Sequence, residues 1–235
     1  MDLGLQDRVA VVTAASKGLG LASARALLGE GARVLVSSRD PSRLAQVRAE
    51  LGPGCETSVA DMNDPLAPAR LVDEAVQRWG RLDVVVANNG GPPAGTAMSF
   101  DDDALQSALE ANLLSATRLV RAAVPHMNGW GRICLITSYS VVLPVRALAL
   151  SNVARTGLYA WARSAAPELM AQGITINLAC PGPHATDRMK ELGGSGPMGD
   201  PAEFGRIVAF LCSEPAAWVS GTAVVVDGAA TATQG

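Results

Sequence analysis

Residues able to act on a phosphate or a carbonyl group fall in a few short stretches. The segment TAASKGLG at 13–20 contains Thr13, Ser16, Lys17, Gly18, Leu19 and Gly20. Gly18 and Gly20 let the backbone approach an anion closely, and a helix starting there offers unpaired N–H groups and the positive end of its dipole; the chemistry is pyrophosphate binding. Farther along, Ser37, Ser38 and Arg39 close a short apolar run. A carboxylate at such a place would hold the ribose hydroxyls of NAD, and here there is none to repel a phosphate. The Arg39 guanidinium can grip a 2′-phosphate in charge-assisted bonds. NADP(H) is therefore expected over NAD(H), by roughly tenfold to a hundredfold if each such bond contributes about 1.5–3 kcal/mol.

These residues need a frame, and its pattern runs the length of the chain. Apolar, β-branched runs at 8–13, 32–38, 55–60, 82–87, 132–137, 174–179 and 222–227 alternate with helical stretches near 18–29, 41–51, 65–79, 101–127, 151–171 and 201–213. Strands apolar on both faces and separated by helices imply a parallel sheet covered on both sides, a doubly wound (Rossmann-type) α/β fold of seven strands. Asp40-Pro41, Asp64-Pro65 and Asp200-Pro201 read as N-caps followed by proline at the first helical position, and Gly80 and Gly173 read as helix stops. No linker-like tract divides the 235 residues, so one domain over 1–235 is expected.

Composition narrows the function classes. A net charge of −3, with Lys17 and Lys190 the only lysines, leaves no basic stripe for nucleic acid. No apolar run approaches a membrane span and no secretory leader opens the chain, so a cytoplasmic location is the expectation. Cys55, Cys134, Cys180 and Cys212 are widely spaced and read as buried free thiols, and two histidines, His126 and His184, give no basis for a His-based metal site.

Seven short motifs occur in one order: TAASKGLG, Asp61 in VADMND, VANNGG at 86–91, Asn112 in LEANLLSA, Ser138 after the fifth strand, PGPHAT at 181–186 and SGTAVVVDG at 220–228. With them the chain resembles the short-chain dehydrogenase/reductase family over essentially its whole length. Two motifs depart slightly, with Ala14 in place of the first glycine and Ala87-Asn88-Asn89-Gly90 in place of Asn-Asn-Ala-Gly. The resemblance implies that Lys17 also faces the 2′-phosphate, that Asp61 and Met62 lie beside the adenine, and that Asn88 and Gly90 lie under the adenosine ribose and near the nicotinamide. It further implies that Thr186, in the loop with Pro181 and Gly182, binds the cofactor's amide or phosphates.

The same resemblance raises a difficulty at the other end. In the family a tyrosine protonates the carbonyl oxygen, a lysine four residues later lowers its pKa and binds the ribose, a serine thirteen residues earlier holds the substrate oxygen, and an asparagine anchors a water relay. Asn112 and Ser138 match, but the tyrosine and lysine positions are Ser151 and Arg155. An alkanol hydroxyl is a poor proton donor at neutral pH, and a guanidinium binds ribose and stabilises an alkoxide without relaying protons. Losing a positioned acid costs about 10²–10⁴ in rate. Tyr139, Tyr159 and His184 are candidate replacements, against plainer readings of the two tyrosines as loop packing and a subunit contact. Ser151, or Asn152, can instead be read as a helix cap. The stretch from Asp187 to Gly199, rich in glycine, reads as a short flexible lid.

The resemblance also implies a homodimer or homotetramer built on the helices at 101–127 and 151–171. Two principal readings stand: an NADP(H)-dependent oxidoreductase interconverting a small-molecule ketone and an alcohol with a noncanonical site, or an NADP(H)-binding or assembly protein that has lost the reaction. A lyase or isomerase using the cofactor structurally is a third.

Overall fold

The computed structural model describes residues 1–232. Seven strands form one parallel sheet: β1 (Val9–Val12), β2 (Arg33–Ser38), β3 (Cys55–Val59), β4 (Val84–Ala87), β5 (Gly131–Ile136), β6 (Ile174–Pro181) and β7 (Ala223–Val226), in the order β3-β2-β1-β4-β5-β6-β7. Every adjacent pair is parallel. β1, β4 and β5 are buried along their whole length; β1 and β4 are apolar on both faces, and in β5 the one charged residue, Arg132, is buried with its guanidinium donating to the Ser213 and Gly131 carbonyls.

The helices are α1 (Gly18–Gly29), α2 (Pro41–Leu51), α3 (Ala67–Trp79), α4 (Asp102–Leu109), α5 (Ser115–Ala123), α6 (Ala149–Met170), α7 (Asp187–Glu191) and α8 (Pro201–Leu211). Apolar faces of α1, α2 and α8 build one core with Leu27, Leu44 and Phe204, and those of α3, α5 and α6 build the other with Leu71, Leu119 and Leu158. α1 and α8 lie close because Gly205 has no side chain; a Cβ there would stand 2.4 Å from the Ala22 carbonyl oxygen. The chain winds outward from β1 in both directions, so a crevice opens beyond the carboxyl ends of β1 and β4.

Local boundaries follow the cap residues in part. Asp40 accepts from the Ser42 and Arg43 amides and Asp200 from the Ala202 amide, each with proline at the first helical position. Asp64 differs from expectation: it accepts from Leu66 N and closes a turn, and α3 begins two residues later. Gly80 ends α3 in the left-handed region at φ +74°.

The expected single helix at 101–127 is broken. A π turn at Glu110–Leu114 separates α4 from α5, and a 3₁₀ turn at Val124–His126 follows. The cause is visible in Asn89, whose Nδ2 donates to the Ala111 carbonyl and to Ser115 Oγ at 2.7 Å each, while Ser115 Oγ donates to the same carbonyl. Those bonds draw a carbonyl out of the α-helical ladder and admit the extra residue.

The segment after Thr186 is also not purely a flexible loop. It forms α7, capped by Thr186 Oγ1 accepting from Met189 N. No helix of the described residues is long and apolar enough to cross a membrane.

Candidate functional site

One cavity of about 800 Å³ occupies the crevice and receives residues from the carboxyl ends of six strands, β1 to β6. Its floor is the β1–α1 turn. Gly18 adopts φ +59°, and a Cβ on Gly20 would lie 2.6 Å from Asn88 Nδ2 and 3.0 Å from the Ala14 carbonyl oxygen. Only glycine admits that approach, and it lets Asn88 Nδ2 donate to Ala14 O at 3.0 Å. Thr13, buried beneath, accepts from Asn88 N at 2.9 Å and donates to Asn88 O at 2.8 Å, locking the loop after β4 to β1. Ala14 takes the first-glycine position at φ +46°, a region that disfavours a side chain. Lys17 precedes α1 with extended backbone and makes no side-chain cap, so the first N–H groups of α1 are left for a ligand.

At the adenosine end Ser16 and Ser38 share a hydrogen bond at 2.9 Å beside Arg39, Arg43, Asp61 and Met62. Arg39 is exposed and, among the described residues, pairs with no carboxylate, whereas Arg43 is near Asp40 at 3.7 Å. Lys17 does not stand free: its Nζ lies 3.6 Å from Asp187 at the start of α7. The turn and the open helix start fit the pyrophosphate of a dinucleotide.

The opposite end gathers Ser138, Tyr139, Ser151, Arg155, Pro181, Gly182, His184, Thr186 and Arg188. Ser138, 8% exposed, accepts from the Ser140 amide at 3.1 Å, and its own proton has no protein acceptor among the described residues. Ser151, 6% exposed, makes no side-chain hydrogen bond there either. The cap reading of Ser151 is corrected: α6 starts at Ala149 after Leu148, which places Ser151 at the third helical position. Asn152 is not the cap; it bonds Val145, donating to its carbonyl at 2.9 Å.

Arg155 lies one turn beyond Ser151. It donates to the Thr137 carbonyl through Nη1 and to Asn112 Oδ1 at 3.4 Å through Nη2, while its Nε is buried without a partner. Desolvation, with the charge of Arg188 adding to it, lowers its pKa to about 10. Asn112 itself sits behind the cavity wall, in the π turn, with Nδ2 donating to Ala108 O at 3.3 Å.

Of the replacement acids, Tyr139 lines the cavity. Tyr159 does not; it packs on the core with Arg163 over its ring at 5.8 Å, because eight residues along α6 carry it past the end of the site. His184 reaches the wall but is 4% exposed, pinned by Nδ1 to Gly182 O at 3.1 Å and edge-on to Phe204. Two contributors escaped the sequence reading. Asn89 shapes the π turn, and Arg188, two residues after Thr186, donates to Pro92 O at 2.6 Å across the cavity. Nothing in the spacing around Arg188 marks it, since its partner is a backbone carbonyl 96 residues away.

A parallel sheet with a glycine turn at its switch point defines a dinucleotide-binding α/β protein. A family model described as enoyl-(acyl carrier protein) reductase matches residues 13–231. Dehydrogenase/reductase SDR family member 4 of Oryctolagus cuniculus is 32% identical over 245 residues, covering 96% of this chain and 94% of its own length. L-sorbose reductase from Gluconobacter frateurii, solved with NADPH and L-sorbose, superposes with a TM-score of 0.89 at 28% identity, covering 97% of this chain and 98% of that one. A variant of actinorhodin polyketide ketoreductase with NADPH gives 0.87 at 27% identity, covering 95% and 97%. The chain belongs to the short-chain dehydrogenase/reductase family, oxidoreductases acting on CH–OH groups.

Proposed function

We propose that the protein is an NADP(H)-dependent oxidoreductase interconverting a ketone and an alcohol, with residues 1–235 acting as one binding and catalytic unit. The observation that carries this reading is the make-up of the cavity. Arg39, which pairs with no carboxylate among the described residues, lies at one end, and Ser138, Ser151 and Arg155 line the other. NADPH in the structures of related reductases supports the choice of dinucleotide.

In this reading Arg39 holds the 2′-phosphate beside Ser16 and Ser38. Asp61 and Met62 flank the adenine. Thr13, Gly18, Leu19 and Gly20 shape the pyrophosphate turn, with Asn88, Gly90, Pro181, Gly182 and Thr186 along the rest of the cofactor. Lys17 is held by Asp187 and reaches the phosphate only if that pair opens. The bound dinucleotide supplies or receives the hydride.

The chain's own residues do the remaining work. Ser138 donates a hydrogen bond to the substrate oxygen and holds it in place. Arg155, positioned by Thr137 and Asn112, stabilises negative charge as it develops there. Tyr139, on the same wall, delivers the proton, because the Ser151 hydroxyl is too weak an acid to do so near neutral pH. Ser151 leaves room for the substrate where a tyrosine would fill the site.

Apolar side chains left exposed at the end of the π turn and on α6, Leu114 and Val153, support association of subunits through this region as a homodimer or homotetramer. A cytoplasmic location belongs to the same proposal.

The absence of a phenol at position 151 favours a second reading, an NADP(H)-binding or assembly protein without turnover. Both readings require cofactor binding, so turnover separates them. NADPH consumption across a panel of ketones and aldehydes, with NADPH binding measured by fluorescence and Arg155→Ala run alongside, is the test. Turnover that falls in the variant supports the oxidoreductase. Tight binding with no turnover on any panel member supports the second reading.

A further inference from the structure

Arg155 is a half-buried cation with no carboxylate within ion-pair distance among the described residues. Its donors go to neutral oxygens, the Thr137 carbonyl and Asn112 Oδ1, and its Nε finds none. The charged group close enough to affect it is another cation, Arg188, which together with burial makes the protonated guanidinium less favourable. Two guanidinium groups on one cavity wall are costly without an anion between or beside them.

The position of Arg188 indicates which ligand would supply that anion. α7 divides its charges between the two walls: Asp187 turns to Lys17 on the glycine turn, and Arg188 turns to Pro92 in the loop after β4. That loop continues to Gly95, which pairs with Leu148 at the foot of α6, one turn before Ser151. Arg188 thus serves the end of the cavity where Ser138 and Ser151 lie, on the side away from the pyrophosphate turn. Glu191, 3.6 Å from Arg188 and more exposed, neutralises it only partly and is a partner that a buried anion can displace.

We propose that Arg155 and Arg188 select a substrate that carries a carboxylate near its carbonyl, so that the protein acts on oxo acids or hydroxy acids. This rests on the oxidoreductase reading for the reaction, and the charge selection can be tested without turnover. A charge-assisted pair of bonds should favour the acid over its ester by roughly tenfold to a hundredfold.

The experiment is titration calorimetry of the full chain saturated with NADP⁺, using pyruvate, acetoacetate and levulinate, each beside its methyl ester. NADPH consumption is measured separately on the same compounds. The expected result is at least one acid binding about tenfold or more tighter than its ester. Arg188→Gln should bring the ratio close to one, and Arg188→Lys should restore part of it. Arg163→Gln, on the outer face of α6, should leave the ratio unchanged.

Equal binding of acid and ester, or no acid bound at millimolar concentration, overturns the proposal. So does an Arg188→Gln protein that binds NADP⁺ more weakly but keeps its acid preference, because Arg188 would then be reading the cofactor's phosphates. Selective acid binding without NADPH consumption upholds the charge selection and removes the oxidoreductase reading; turnover of esters in preference to acids does the reverse.

Discussion

Asn112 Oδ1 accepts from Arg155 Nη2 at 3.4 Å, and it can do so because the π turn at Glu110–Leu114 rotates Asn112 inward. A residue in the turn between two helices therefore sets the direction of a guanidinium on a third. Asn112→Ala removes that acceptor while leaving the cavity wall intact. The expected outcome is a fall in kcat of about tenfold, the worth of one bond to a charged group, with NADPH affinity changed less than about threefold. Steady-state kinetics with a separate cofactor titration check it, and a fall confined to cofactor affinity would contradict the positioning role.

Arg155→Met exchanges a half-buried cation that has no carboxylate partner among the described residues for a shorter, neutral side chain. At neutral pH the folded state bears the full penalty of the depressed pKa, which disappears only as pH rises above about 10. The variant should be more stable than the parent by about 1 kcal/mol, discounting for partial exposure and for the two bonds it loses, which raises Tm by about 2–4 °C. It should also lose activity. Thermal melts without cofactor are the check, and a lowered Tm would show that the bonds to Thr137 and Asn112 outweigh the burial of charge.

Arg39→Ala tests the choice of dinucleotide. NADPH affinity should drop roughly tenfold to a hundredfold while NADH affinity stays within about threefold, since the lost bonds go only to the 2′-phosphate. Fluorescence titration with both reduced cofactors measures it. Equal losses for the two would place Arg39 outside the phosphate site.

The glycine turn predicts opposite results at neighbouring positions. Ala14→Gly relieves a φ of +46° and, set against the greater freedom of glycine in the unfolded chain, should stabilise by about 0.5 kcal/mol. Gly20→Ala places a Cβ 2.6 Å from Asn88 Nδ2 and 3.0 Å from backbone, and should weaken NADPH binding at least about tenfold. Denaturant melts and cofactor titration read the two effects. Unchanged binding in Gly20→Ala would mean that the turn shifts freely.

The thiols should resist alkylation. Burial pushes both Cys55 and Cys180 up from 9.0 to about 11, and all four cysteines are buried and free. Because the folded pKa is raised, the stability this contributes is intact below about pH 9 and is lost as pH climbs toward 11. Iodoacetamide at pH near 8 should label the native protein at least about a hundredfold more slowly than the denaturant-unfolded one, counted by mass spectrometry. Rapid labelling of Cys180 in the native state would show that the cavity wall opens.

Much of the architecture could be read directly. The seven runs became β1 to β7 within two residues at each end, because β-branched and apolar residues predominate in strands that pack into a covered sheet. Asp40 and Asp200 capped as expected, whereas Asp64 closed a local turn instead of capping α3, and α6 began at Ala149, ahead of Ser151. Asn89 broke the helix expected at 101–127, and no local pattern at 110–114 announces a π turn. Ser151 was legible as a departure from the family's tyrosine, yet whether it capped a helix or faced a cavity depended on α6 starting at Ala149.

The sequence by itself determined the parallel sheet, the glycine turn and the missing carboxylate after β2, because each rests on residues close together in the chain and on backbone geometry that few residue types allow. Only the tertiary structure decided that Tyr139 and not Tyr159 lines the cavity, that Lys17 is engaged by Asp187, and that Arg188 crosses to Pro92 near Arg155. Those relations join elements far apart in sequence, and the charge and burial they create belong to the packed cavity rather than to any segment of the chain.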